Sequence, residues 1–529
     1  MLRTRSQKTP LLSLHSQSGD WDDAILIHSV RPWRIPGLVG AFLQNQISNC
    51  RHMPEPLAAR VLGSADGPRR QLYLVISDNH DDDAFQSFAE ATTKTAAVVS
   101  ESPLADFVEV DWWSVQRQKQ FFAQLAELFP HFPTVAPLFR DAGQQSLKGI
   151  RGVQNRSVVI ADYVTRNASR DIIYHRLDDD MVPFLASWSA RGTLCFDHGY
   201  NVFSHKAIRL SDPKVRVLGS KYSIDSAGPI CDLLDGLRDA GRAASILAGE
   251  PSGNAVTDGD VLPERVQDFT GGVLTQNAPL LSAEVLRSDQ GASTVCELLG
   301  LLKMGCNHFS FDTIEQVSPT FMEARDTLPG GFVSFRRSTD ILPDAPVGHQ
   351  DVLFSVLEHA VAGGVFGDLP IGHVKAMAFR RPLVDALCAR SDALPDRSDL
   401  QCTIQFIALA REQGFRIAEG LPPHSGFWGW RYHGIKPTPL EDLAFRGIRA
   451  AKSLSVSNGR EKQRAAESMR CLCRSVLRRL PQMEANHAYE LDAIVEPDDP
   501  LRDIFASWHR ASRRFGQLRY FVRTTPGLR

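Results

Sequence analysis

The chain has 529 residues, more than the roughly 250–300 that a single hydrophobic core organises, so one large domain with appended pieces is expected. Hydrophobic residues make up 43% and charged residues 23% of the chain, proportions that permit a substantial core. The formal net charge of −2 argues against a dedicated nucleic-acid binder, because such domains carry a clear basic excess.

Residues 1–20 are polar and irregular and read as a mobile leader. Ala24 to Ser29 reads as a short buried strand, followed by Arg31-Pro32-Trp33 and a helix from Ile35 to Gln46. Gln71 to Ser77 reads as a second strand, closed by Asp78 and Asn79. Asp81-Asp82-Asp83 then caps a helix from Ala84 to Thr93. Ala96 to Ser100 reads as a third strand. Short apolar strands alternating with helices predict a mostly parallel sheet with helices on both faces.

Val115 to Phe129 is an amphipathic helix, and Gly149 to Ser157 reads as a glycine-bearing turn running into a helix from Val158 to Val164. Ile172 to Leu177 is a strand that ends directly at Asp178-Asp179-Asp180. Residues 185–329 lose this rhythm and read as a mixed insertion, with a hairpin from Thr193 to Phe203, a helix near Ile230 to Ala240 and a loop from Gly249 to Gly259. The strand Phe332 to Phe335, the helix Val352 to Val361 and the strand around Leu369 to Val374 follow. From 401 to 529 the pattern turns helical, with helices at Cys402 to Gly414, Leu440 to Leu454 and Arg460 to Leu480, and Asp399 as a cap. The last thirty residues carry seven arginines, which read either as a solvated helix face or as a contact for anionic headgroups.

Asp178-x-Asp180 is the pattern that carries chemistry. A sugar leaving a nucleoside diphosphate needs the growing pyrophosphate charge neutralised, and a divalent cation bridging the phosphates does this. Mg²⁺ and Mn²⁺ take oxygen ligands, often one or two carboxylates beside the substrate phosphates. Alternation along the strand turns Asp178 and Asp180 to one side, at a strand C-terminus, where open α/β sheets bind ligands. No P-loop, G-x-S-x-G elbow or H-E-x-x-H helix is present. The nine scattered cysteines, without a C-x-x-C pair, fit a reducing cytoplasm better than a disulfide scaffold.

The order of these pieces resembles the GT-A glycosyltransferases, near the family-two-like group, over roughly residues 22 to 380. The resemblance rests on Ile27 to Pro32 as the opening strand and its proline loop, Asp78 at the end of the second strand, Gly149 to Ser157 ahead of a helix, Asp178-Asp179-Asp180, Gly330 to Arg337, His349-Gln350-Asp351 and Leu369 to Val374. Gln154 and Gln350 depart from the family's usual Arg and Glu. It implies a GT-A-like (Rossmann-like) domain split into a donor half (21–184) and an acceptor-side half (330–400). It further implies that Arg31, Asp78, Asn155 and Asp178 contact a nucleotide-sugar donor. Mn²⁺ or Mg²⁺ would be held by Asp178, Asp180 and His373, with His349, His424 and His433 as rivals to the last. Asp351 would serve as base toward an acceptor hydroxyl in an inverting course, the one favoured, or would only orient donor or acceptor in a retaining one. The acceptor (glycan, lipid-linked or protein) stays open, and peripheral membrane contact is allowed while no spanning segment is expected. A degenerate, scaffold-like transferase domain and a sugar-phosphate nucleotidyltransferase are the alternative readings.

Overall fold

The computed structural model describes residues 21–29, 32–48, 71–79, 85–140, 150–179, 181–182, 185–188, 194–197, 206, 210, 215–224, 322–323, 332–348, 350–362, 365–373, 391, 393–417, 437–456, 458–490 and 494–528. The expected leader, the helix near Ile230, the loop Gly249 to Gly259 and the rival histidines His349, His424 and His433 lie outside them.

Eleven strands occur among the described residues: β1 (Trp21–Ser29), β2 (Leu72–Asp78), β3 (Val108–Trp113), β4 (Asp171–Asp178), β5 (Met181–Val182), β6 (Leu185–Trp188), β7 (Leu194–Asp197), β8 (Val217–Ile224), β9 (Met322–Glu323), β10 (Phe332–Arg336) and β11 (Val365–His373). Nine form one mixed sheet in the order β3-β2-β1-β4-β10-β8-β11-β5, with β9 pairing β11; β6 and β7 make a separate antiparallel hairpin. The β3-β2-β1-β4 half is wholly parallel, and β10 runs against both β4 and β8. The architecture is therefore α/β, as the alternation of strands and helices predicts.

The principal helices are α1 (Ile35–Ser48), α2 (Phe85–Ser100), α3 (Val115–Leu128), α4 (Ile150–Val164), α5 (Gln350–Ala362), α6 (Asp399–Glu412), α7 (Pro437–Ser455), α8 (Arg460–Glu490) and α9 (Pro500–Thr524). Side chains alternate across a strand, so successive residues of one strand serve two different cores. Ile25, Ile27, Leu74 and Ile76 pack with Ile35, Val39 and Phe42 of α1 and Val99 of α2. Ala24, Leu26 and Val75 join the larger core with α3, α4 and the C-terminal helices. Helix α4 lies between the sheet and α9, and everything from Gly152 to Asp162 is buried.

Two expectations of local structure are corrected. Ala96 to Ser100 is the end of α2, not a strand; the third strand is Val108–Trp113, an edge strand whose alternating Glu109 and Asp111 hide it in the sequence. The Gly149 to Ser157 turn is helical from Ile150 onward. Gly152 serves close approach, not turning: a Cβ there would meet the Phe139 carbonyl oxygen at 2.6 Å. Within the 185–329 segment, β8 lies between β10 and β11 in the main sheet and β9 borders β11.

The C-terminal arginines divide. Arg510 and Arg513 face solvent, as a solvated helix face would. Arg519, only 1% exposed, instead ties α9 to α4 through Asp162, which also receives Arg523 and the Tyr174 hydroxyl. Asp399 is not the cap of its helix; the Ser398 hydroxyl accepts from the Gln401 amide, and Asp399 follows in the first turn.

Candidate functional site

Strand order reverses at β1: β2 and β3 step outward on one side, and β4 returns on the other. Crevices at such reversals, outside the carboxyl ends of parallel strands, are where open α/β sheets hold ligands. The register puts His28 of β1 between Ser77 of β2 and Asp178 of β4 at this edge. By strand alternation these side chains continue the face of Leu26, Val75 and Tyr174, toward α4.

Here the polar groups converge. His28 Nε2 lies 3.0 Å from Asp178 Oδ1, and the Gln154 amide of α4 donates to the same oxygen at 3.4 Å. Both contacts fall on Oδ1, which fixes the carboxylate while 24% of the side chain stays exposed. Burial pulls the His28 imidazole down, but attraction to Asp178, their hydrogen bond and Asp179 outweigh it and Arg176, so its pKa lies above the usual value. Arg176 pairs with buried Asp344 at 2.9 Å. Burial raises the Asp344 carboxyl above the ordinary carboxylate range even against the pull of Arg176.

Five buried side-chain atoms at this edge, His28 Nδ1, Ser77 Oγ, Asn79 Oδ1, Gln154 Oε1 and Asp344 Oδ1, have no hydrogen-bond partner among the described residues. Buried polar groups are almost always satisfied, so these atoms leave donors and acceptors at the strand edge for water or a ligand.

The sequence-predicted residues are distributed as follows. Asp178 stands in the crevice. Asp78 is buried at the end of β2, and its carbonyl accepts from Gln118. Asn155 faces the fold's interior: its amide donates to the Leu138 and Asp344 carbonyls and accepts from the Asp344 amide at 2.8 Å, so it holds the segment carrying Asp344. His373 ends β11, and its backbone pairs with Met181, the residue that follows Asp180 in the chain. Asp351 lies in the first turn of α5. That helix reaches the crevice through Phe354, whose ring lies 4.8 Å from the Arg176 guanidinium. Arg31, Asp180 and the side chains of Asp351 and His373 lie outside the described residues. Among the described residues no group of three or more His, Cys, Asp or Glu is arranged to hold a metal ion.

His28, Arg176 and Asp344 were missed by sequence reasoning. Their signal is a histidine, an arginine and an aspartate in otherwise apolar or glycine-poor runs, which becomes informative only once strand register brings them together.

On the opposite face a second polar array joins three strands. His175 Nδ1 meets Ser334 Oγ at 2.9 Å, and His175 Nε2 meets Asp23 Oδ1 at 3.1 Å. The connectivity is that of an acyl-transfer triad, but all three are sealed from solvent, so no substrate carbonyl reaches the serine.

No protein-family model matches the chain, and no curated protein or solved structure matches it either. No helix among the described residues is long and apolar enough to cross a membrane.

Proposed function

We propose that the protein is a metal-dependent glycosyltransferase of the GT-A type, moving a sugar from a nucleotide-sugar donor to an acceptor hydroxyl. The observation that carries this reading is the β11–β5 register, in which His373 pairs with Met181 directly after the Asp178-to-Asp180 run. In support, this register sets the backbone of His373 beside a residue only three positions after Asp178. The polar orphans beside Asp178 support a ligand at the same edge.

Two carboxylates and an imidazole, with room for substrate oxygens, suit Mn²⁺ or Mg²⁺. Asp178, Asp180 and His373 would hold the ion, which when bound supplies Lewis-acid neutralisation of the departing diphosphate. His28 and Gln154 keep the Asp178 carboxylate in one orientation before the donor arrives, so that ordering is not required at the moment of reaction. Asp78 approaches the nucleobase from the end of β2. Asp351, carried by α5, accepts the acceptor hydroxyl's proton, which favours an inverting displacement. The early turns of α4 open on the same edge, with the backbone N–H groups that favour anionic phosphate.

The test is thermal stabilisation across a panel of nucleotide sugars with and without Mn²⁺. A ligand at a hundred times its Kd stabilises by about 2.7 kcal/mol, so a donor raises the Tm only when Mn²⁺ is present. Asp180→Ala and His373→Ala each abolish that shift while keeping the ligand-free Tm. Absence of an Mn²⁺-dependent shift for every nucleotide sugar refutes the reading. A shift without release of nucleoside diphosphate, given a range of acceptors, leaves only a binding domain.

A further inference from the structure

Helices α7 and α8 form an antiparallel pair that packs through small side chains. Ala444, Gly447 and Ala451 of α7 and Ala465, Ala466 and Cys473 of α8 are buried, and a Cβ on Gly447 would lie 2.6 Å from the Cys473 sulfur. Residues 437–490 carry ten Lys and Arg against six Asp and Glu, a formal +4 within a chain whose total is −2. The remaining residues therefore sum to −6, so the pair is basic within an acidic chain.

The outward stripe of α7 has a particular composition. Phe445, Arg449 and Lys452, with Val456 just past the helix end, recur at intervals of four, three and four residues and so share one side of the helix. Phe445 is 46% and Val456 81% exposed, and Arg446 flanks them in solvent. Across the turn, Arg460, Lys462 and Arg464 open α8 with Glu461 among them, and Arg464 reaches Glu461 at 4.0 Å. Glu441 is the acidic residue at the other end of the stripe.

We infer that the outward face of α7, continued over the turn into the start of α8, docks on an anionic lipid bilayer. Six basic residues beside two exposed apolar side chains match the two components of an interfacial membrane: headgroup charge and an acyl boundary. Nucleic acid would use the cations and could stack a base on Phe445, but the 81%-exposed aliphatic Val456 on the same stripe matches an acyl boundary and not a base. The overall acidic balance of the rest of the chain also disfavours a polyanion that wraps the protein. The docked face is peripheral: the apolar pair enters the headgroup region while α7 lies along the surface.

The test is flotation of the full chain with vesicles of phosphatidylcholine alone, or of phosphatidylcholine with about a third phosphatidylserine. The protein floats with the anionic vesicles and is released near 1 M salt, where the screening length falls to about 3 Å. Each Lys or Arg near an anionic surface strengthens binding about fivefold, so Arg446→Gln, Arg449→Gln and Lys452→Gln together lose about 100-fold. Phe445→Ser with Val456→Ser loses roughly tenfold and keeps the salt dependence. Arg510→Gln with Arg513→Gln, on the exposed side of α9, changes nothing. Equal flotation with neutral vesicles, no flotation at all, an equal loss in the α9 variant, or displacement by duplex nucleic acid at lower concentration than by free anionic lipid would each overturn the assignment. Should the triple variant melt early, the apolar pair and the salt titration decide alone.

Discussion

Asp162→Asn is the most informative structural perturbation. Asp162 is fully buried and receives Arg519 Nε at 2.7 Å and Nη2 at 3.4 Å, Arg523 Nη1 at 3.2 Å and the Tyr174 hydroxyl at 3.0 Å. Asparagine keeps an oxygen for Tyr174 but cancels the only charge on this carboxyl group. Arg523 is 22% exposed and can turn to water, whereas Arg519 at 1% cannot. Leaving one partner of a buried pair uncompensated costs about 3–5 kcal/mol. The two Arg519 bonds to the Thr339 and Arg337 carbonyls survive the change and soften it, which argues for the lower end, about 3 kcal/mol. With a urea m-value of about 3 kcal/mol/M, the midpoint falls by roughly 1 M. Arg519→Met keeps the aliphatic stem and leaves Asp162 with Arg523 and Tyr174, so it costs less, about 2 kcal/mol. The double variant costs less than the two singles summed, because the charge that each single orphans is gone; the coupling is about 2 kcal/mol. Hydrogen exchange over residues 500–524 rises in Asp162→Asn as α9 loosens from α4. Additivity within about 0.5 kcal/mol, or unchanged exchange in α9, would refute the idea that this network docks the C-terminal helix.

Two further outcomes follow from single sites. Gly152→Ala gains about 1 kcal/mol of helix propensity but drives a methyl into the backbone of Phe139 and Arg140, an overpacking that costs more than it returns; calorimetry finds a Tm lower by a few degrees, and a rise would show that α4 can slide away from this contact. Burial first, opposed by the Leu342 amide and Arg216, pushes the Glu358 carboxyl up to about 7 from an ordinary 4.5. The folded chain therefore holds a proton there that the unfolded chain has released. That contribution is full below about pH 4.5 and is lost as pH rises through about 7, a difference of about 3 kcal/mol. Glu358→Gln flattens this part of the stability profile between about pH 4.5 and 7, and an unchanged profile assigns the pH dependence elsewhere.

What the sequence disclosed and what it hid have physical causes. β1, β2, β4 and β10 were legible because strands buried on both faces are near-continuous apolar runs. β3 was not, since Glu109 and Asp111 break the apolar run of this part-exposed edge strand, while the Ala-Ala-Val-Val end of α2 resembles a strand. Asp178 was legible as a carboxylate at a strand tip. Its partners His28 and Gln154 were not, because their meeting depends on strand register and on α4 starting earlier than its glycines suggest. Gln154 read as a failed match to the arginine of a motif; in three dimensions it is a hydrogen-bond donor to the acidic cluster. Arg519 and Arg523 looked like surface charge until Asp162, on a helix far upstream, gave them a counterion.

The sealed Asp23–His175–Ser334 chain has a consequence for how the sheet assembles. A strand whose faces alternate can shift by two residues and still bury the same kind of side chains, so apolar patterning alone leaves β10 with more than one acceptable alignment against β4. Sliding Phe332 and Phe335 along by one repeat would keep them in oil, but it would strand the imidazole and the hydroxyl without each other. The polar stitch across β1, β4 and β10 thus acts as an alignment key: it adds little to the depth of the native well and much to the height of its nearest competitors.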